Sequence, residues 1–311
     1  MGKIAFLFSG QGAQYVGMGK DLYDASEKCW EIFDIATKAT GLDLKKICFE
    51  GPAEELNITE NTQPAVVTVT LAILEFVKEM GIKPDVVAGL SLGEYSALTA
   101  AGVFDVATVT ALVRKRGKFM QEAVPIGKGK MAAMLGGKPE KVKELCEAAG
   151  DAGFIAPANY NCPGQIVVGG EVPAVNKAME LIKEYGILKA VPLAVSAPFH
   201  TKMLESASVK LAEELENINM GKPSIPVICN INAKKLKEDD DIKDILRRQV
   251  MNSVLWEQTI RAMLEDGVDT FIEIGPGATL TGFVKKIDRT VRALHVENLE
   301  TLNNLKEEMN K

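Results

Sequence analysis

With 311 residues, 47% hydrophobic and 25% charged, the chain is long enough for one large domain with an insertion, or for two domains, and can bury a sizeable core. Its formal net charge of −6 argues against a general nucleic-acid binder, whose affinity comes from neutralising phosphates; an acidic partner would have to meet a local basic patch. The cysteines (Cys29, Cys48, Cys146, Cys162 and Cys229) form no CxxC pair and support neither a disulfide framework nor a zinc site, so reduced, mostly buried thiols are expected.

The apolar run over 4–8 is too short for a signal h-region or a membrane span, and Phe6 stands where myristoylation after Gly2 wants Ser or Thr. A cytoplasmic protein with no membrane association is expected. Residues 3–8, bounded by Ser9-Gly10, read as the buried first strand of a parallel sheet. The glycine-rich loop SGQGAQYVGMG follows. A dinucleotide loop is one reading, but Tyr15 stands where the third glycine belongs and no acidic strand end follows. The competing reading is a loop whose backbone N–H groups point into a site.

Helical spacing covers 27–39 and 62–80, the second opened by Gln63-Pro64, with proline in the first turn where its missing N–H is harmless. Residues 86–88 form a short strand feeding Gly89-Leu90-Ser91-Leu92-Gly93, and 94–101 reads as a small-residue helix. That is the strand, turn and helix context of a nucleophile elbow, in which the helix aims its free N–H groups at the serine. Asp105 caps a helix reaching about residue 123. The helix carries Arg114, Lys115 and Arg116, one of which could lie beside Ser91.

From 131 to 195 the order is strand (131–135), helix (139–149), strand (154–159), strand (165–168), helix (174–185) and strand (188–193). This βαββαβ order is that of a ferredoxin-like unit. The boundaries fall at Gly127-Lys128-Gly129-Lys130 and Ser196-Ala197-Pro198. Helices over 204–215, 242–250 and 257–265 follow, with strands over 226–228, 270–274 and 291–296, then a terminal helix. The expected fold is α/β: an α/β-hydrolase-like parallel sheet domain (1–127 and 198–311) with an inserted ferredoxin-like subdomain (128–197).

A serine is a weak nucleophile at neutral pH and needs a base, most often histidine. His295 lies in a predicted strand and reads as structural. His200, in SAPFHTKM at the domain junction, is the candidate base. Between Ser91 and His200, acids such as Asp151 and Glu171 fall inside the inserted unit, and none stands out as an orienter. Something other than a carboxylate is left to hold the imidazole.

Seven separated motifs, FSGQGAQ, TQPA, GLSLGEYSAL, RKRGKFMQEAVP, NYNCPGQIVVGG, SAPFH and EIGPG, together resemble the malonyl-CoA:acyl carrier protein transacylases of type II fatty acid synthesis over essentially the full length. The resemblance implies Ser91 as acyl-accepting nucleophile, His200 as its base, and Gln249 as the residue whose carbonyl receives the imidazole N–H. It implies an oxyanion hole from the backbone N–H groups of Gln11 and Leu92. Arg116 matches the second arginine of the family's RxRG motif and would clamp the malonyl carboxylate. Family members more often have histidine where this chain has Leu90, a side chain that can take no part in proton transfer. Phe199 fits malonyl rather than 2-methylmalonyl selectivity.

The implied reaction is a ping-pong transfer from malonyl-CoA to the phosphopantetheine thiol of holo acyl carrier protein, with no metal or bound cofactor. A monomer is expected. Lys285, Lys286, Arg289 and Arg292 form one candidate docking rim for an acidic carrier protein; Lys128, Lys130 and Lys202 form another. The rival readings are a serine esterase or thioesterase on the same elbow, and a non-enzymatic module that binds an acyl carrier.

Overall fold

The computed structural model describes residues 2–195 and 197–310; Ser196, part of one expected subdomain boundary, lies outside the described residues. Two sheets organise the chain. The first is parallel, in the order β2-β1-β7-β8, built from β1 (Lys3–Phe8), β2 (Val86–Gly89), β7 (Val268–Ile274) and β8 (Arg292–Val296). Its central strand, KIAFLF, is buried from Ala5 onward, because helices cover both faces of a parallel sheet. In register, Phe8 lies beside both Gly89 and Ile274. The loops leaving β1, β2 and β7 therefore emerge together at one edge, where open parallel sheets place their ligands.

The second sheet is antiparallel, in the order β4-β5-β3-β6, from β3 (Gly129–Leu135), β4 (Ile155–Cys162), β5 (Gln165–Glu171) and β6 (Lys189–Pro192). With the helices Pro139–Ala149 and Val172–Leu181 it gives the ferredoxin-like βαββαβ arrangement. The period-2 alternation of β3 shows how the unit is seated. Ala132 and Met134 pack with Val142, Leu145 and Val175 in the unit's own core, whereas Met131 and Ala133 face the main core. Val254 adds a bridge to β4, donating to the Ala158 carbonyl at 2.9 Å and accepting from the Tyr160 N–H at 2.9 Å.

Two local expectations need correction. The second long helix spans Thr59–Glu79, not 62–80, and places Pro64 in its interior. Its first turn forms early because the Asn61 and Thr62 N–H groups donate to the Ile58 carbonyl, and the Thr62 hydroxyl donates to the Leu56 carbonyl. The segment over 226–228 makes two isolated bridges, Val227 parallel to Val87 and Ile228 antiparallel to Lys235, instead of a strand. After Ile228 the chain turns back through Ala233, whose φ is 53°, and this turn brings Asn230 to the elbow. Among the described residues no helix is long and apolar enough to cross a membrane. The five cysteines are free and buried.

Candidate active site

The elbow joins β2 to the helix Gly93–Ala100 in so little space that its glycines are steric necessities. A Cβ on Gly89 would sit 2.0 Å from the Gly93 carbonyl carbon and oxygen, and one on Gly93 would sit 2.1 Å from the Phe8 carbonyl oxygen. Between them Ser91 adopts φ 53°, left-handed backbone that a non-glycine residue holds only when its surroundings over-determine it. Asn230 supplies part of that constraint. Its Oδ1 accepts from the Ser91 N–H at 2.6 Å and its Nδ2 donates to the Gly89 carbonyl at 2.8 Å.

His200 reaches the elbow from the chain returning out of the antiparallel sheet. Its own φ is 59°, and the turn is tied by the Thr201 hydroxyl donating to the Pro198 carbonyl at 2.7 Å. Its Nε2 lies 2.6 Å from Ser91 Oγ and its Nδ1 2.9 Å from the main-chain oxygen of Gln249. That oxygen belongs to the last residue of the helix Ile242–Gln249, where carbonyls lack intrahelical partners. A carbonyl can only accept, so Nδ1 carries the proton and Nε2 presents its lone pair to the serine hydroxyl. The imidazole is thus oriented by a backbone atom.

Burial, reinforced by the nearby Arg116 charge, lowers the His200 pKa to about 4. The ring is neutral, and able to accept the serine proton, throughout the neutral range. At saturating donor, acylation of Ser91 should therefore hold its rate as pH falls through 6.5, the ordinary histidine value, and drop to half only near pH 4. Stopped-flow measurement at each pH checks this; a midpoint near 6.5 would contradict the burial argument. Short exposures matter. Between pH 6.5 and 4 the unfolded chain takes up a proton that the folded chain refuses, so stability declines over that window.

Of the neighbouring cations on the helix Val106–Glu122, only Arg116 turns inward. Arg114 bonds the Thr40 carbonyl and pairs with Glu60 at 3.1 Å, and Lys115 pairs with Glu214 at 2.6 Å. Arg116 is 1% exposed, with the Tyr95 ring centroid 5.2 Å from its guanidinium carbon. It donates to Gln63 Oε1 and Gln249 Oε1, each at 2.9 Å, and more weakly to Ser91 Oγ at 3.4 Å. Burial pulls its pKa down, but a guanidinium stays protonated at neutral pH. A buried cation whose hydrogen-bond partners here are neutral, set beside a nucleophile, is suited to receive a carboxylate.

Gln11 and Leu92 complete the set. Leu92 immediately precedes the elbow helix, and Gln11 lies in the loop after β1; among the described residues neither N–H has an acceptor. The Gln11 side chain is held by Thr59 and Gln63, at 3.4 and 3.3 Å. Leu90, the departure from the family pattern, packs against the cluster containing Val86 and Ile228, and the imidazole at the serine is that of His200. Phe199 is buried in the main core. His295 stands away from the site, 4.0 Å from Glu297.

Sequence reasoning missed Asn230, Gln63, Tyr95 and Glu94. The last three lay inside quoted motifs, TQPA and GLSLGEYSAL, yet nothing in their spacing marked them as neighbours of Arg116 and Gln249. Asn230 carried no signal, because its role depends on the turn that replaces the expected strand.

The model of the acyl transferase domain family matches residues 5–311. The chain belongs to the acyl transferase domain family. This acyltransferase is 46% identical over 303 residues to the malonyl CoA-acyl carrier protein transacylase of Bacillus subtilis, covering 97% of this chain and 96% of the relative. The crystal structure of the corresponding transacylase from Clostridium perfringens superimposes with a TM-score of 0.96 at 48% identity, over 99% of this chain and 97% of that one. A malonyl-transacylase solved in complex with its type II polyketide-synthase acyl-carrier protein matches with a TM-score of 0.95 at 40% identity, over 98% and 99% of the two chains.

Proposed function

We propose that this acyltransferase moves the malonyl group from malonyl-CoA to the phosphopantetheine thiol of an acyl carrier protein, through an acyl-serine. The observation that carries this reading is a buried guanidinium, hydrogen-bonded to neutral side chains, within 3.4 Å of a serine oxygen that itself lies 2.6 Å from a correctly oriented imidazole. The substrate's free carboxylate takes Arg116, which brings the thioester carbon to Ser91. His200 Nε2 removes the hydroxyl proton as Oγ attacks, and the N–H groups of Gln11 and Leu92 receive the oxyanion. The tetrahedral adduct expels the CoA sulfur, which takes the proton from His200. In the second half the carrier thiol gives its proton to His200 and attacks the acyl-serine, and the serine oxygen leaves with that proton.

A general esterase would gain nothing from burying a cation against a neutral acyl chain. No metal or bound cofactor enters these steps. The reaction belongs in the cytoplasm, and the five buried free thiols suit a reducing compartment. Carrier docking at Lys285 and Lys286 rests on their exposure in the last turn of the helix Thr279–Ile287. Incubation with malonyl-CoA and holo acyl carrier protein should place malonyl on the carrier thiol, read by intact-protein mass spectrometry. Release of free malonate with an unmodified carrier would overturn the reading.

A further inference from the structure

Behind the serine lies a buried carboxylate that the transfer steps do not use. Glu94, three residues after Ser91 on the elbow helix, is 1% exposed. Its Oε2 accepts from Gln249 Nε2 at 2.8 Å, and both its oxygens lie 3.4 Å from the Asn230 N–H. The same Gln249 amide donates to the Ser91 carbonyl at 2.8 Å and, through Oε1, accepts from Arg116 Nη2 at 2.9 Å. One amide thus stands between a buried anion and a buried cation, with its nitrogen toward the first and its oxygen toward the second. Its orientation is fixed by that polarity.

We propose that Glu94 is the counter-ion of Arg116 at one remove, and that through Gln249 it sets how tightly the guanidinium holds the carboxylate of the acyl donor. This rests on the reading of Arg116 as the carboxylate clamp. Two carboxylates then compete for one buried cation. When the donor's carboxylate arrives, the negative charge of Glu94 opposes it; when Glu94 is protonated, the clamp is stronger. By reciprocity, binding of the donor favours protonation of Glu94.

Burial pushes the Glu94 carboxyl up to about 7. The other titratable groups facing it are silent between pH 6 and 8: Arg116 stays protonated, burial raises the Cys229 thiol out of that range and holds Tyr95 at about 12, and His200 titrates near 4. A donor carboxylate is ionised throughout. The CoA phosphates titrate alike in malonyl-CoA and acetyl-CoA, so a ratio of the two affinities cancels them.

The test is calorimetric binding of malonyl-CoA and acetyl-CoA to the full-length Ser91→Ala variant, in which no turnover occurs. The malonyl-to-acetyl Kd ratio should rise about threefold to tenfold from pH 6 to pH 8. Adding Glu94→Gln should flatten the profile at its low-pH value. A flat ratio in the parent, or a slope that persists in Glu94→Gln, would overturn the proposal. If Glu94→Gln does not fold, the slope in the parent decides alone. Arg116→Ala in the same background separates the two claims: a malonyl preference that survives it refutes the clamp itself, whereas its loss alongside a flat parent profile refutes only the role of Glu94.

Discussion

Arg116→Ala is expected to lower kcat/KM for malonyl-CoA by about 10²–10³-fold and to lower that for acetyl-CoA by less than about tenfold, reversing the donor preference. The reasoning is one of charge desolvation. The donor's carboxylate leaves water on entering the site, and the guanidinium beside Ser91 is the group placed to replace that hydration. Without it the carboxylate is buried beside Glu94 with no compensating cation. Acetyl carries no carboxylate and loses only packing. The ratio of the two donors removes any shared effect of a hole left at a fully buried side chain. Arg116→Lys should recover only part of the malonyl rate, because an ammonium cannot reproduce a planar, two-pronged contact. Equal losses for both donors would show that Arg116 supports the fold rather than the acyl group.

His200→Ala should slow acylation of Ser91 by about 10²–10⁴-fold, the range expected for a general base. The serine would remain in place, since its turn is held by Asn230 and not by the imidazole. Residual acylation should then rise with pH, as hydroxide takes over the proton. Replacing Gln249 is a poor way to test the orienter: the atom that holds Nδ1 is its main-chain oxygen, which survives any substitution. A Gln249 variant instead probes the amide that bridges Arg116 and Glu94.

What the chain discloses before folding follows from how local each feature is. The elbow is legible because its geometry is set within five residues, G-L-S-L-G, and no other residue type fits at Gly89 or Gly93. The βαββαβ unit is legible because its periodicity switches from strand to helix and back twice between 129 and 192. His200 is legible by scarcity, being one of two histidines. Arg116 is legible only through resemblance, since three adjacent cations share one helix and the choice depends on which face packs toward the elbow.

The imidazole's orienter is a backbone carbonyl at a helix end, and a backbone atom leaves no trace in composition. Glu94 and Gln249 lie 155 residues apart, so their pairing depends on how the helix Ile242–Gln249 approaches the sheet edge. Pro64 misled because proline commonly marks a first turn, whereas hydrogen bonds to Leu56 and Ile58 start this helix earlier.

The central claim is that Ser91 holds the malonyl group until a carrier thiol arrives. Mixing the protein with excess malonyl-CoA in the absence of acyl carrier protein, and following free CoA together with the intact protein mass, tests it most directly. The account predicts a burst of one equivalent of CoA per chain, a malonyl adduct mapped to the peptide containing Ser91, and no further release until holo carrier protein is added. Sustained CoA release without a carrier, or an adduct on any other residue, would contradict it.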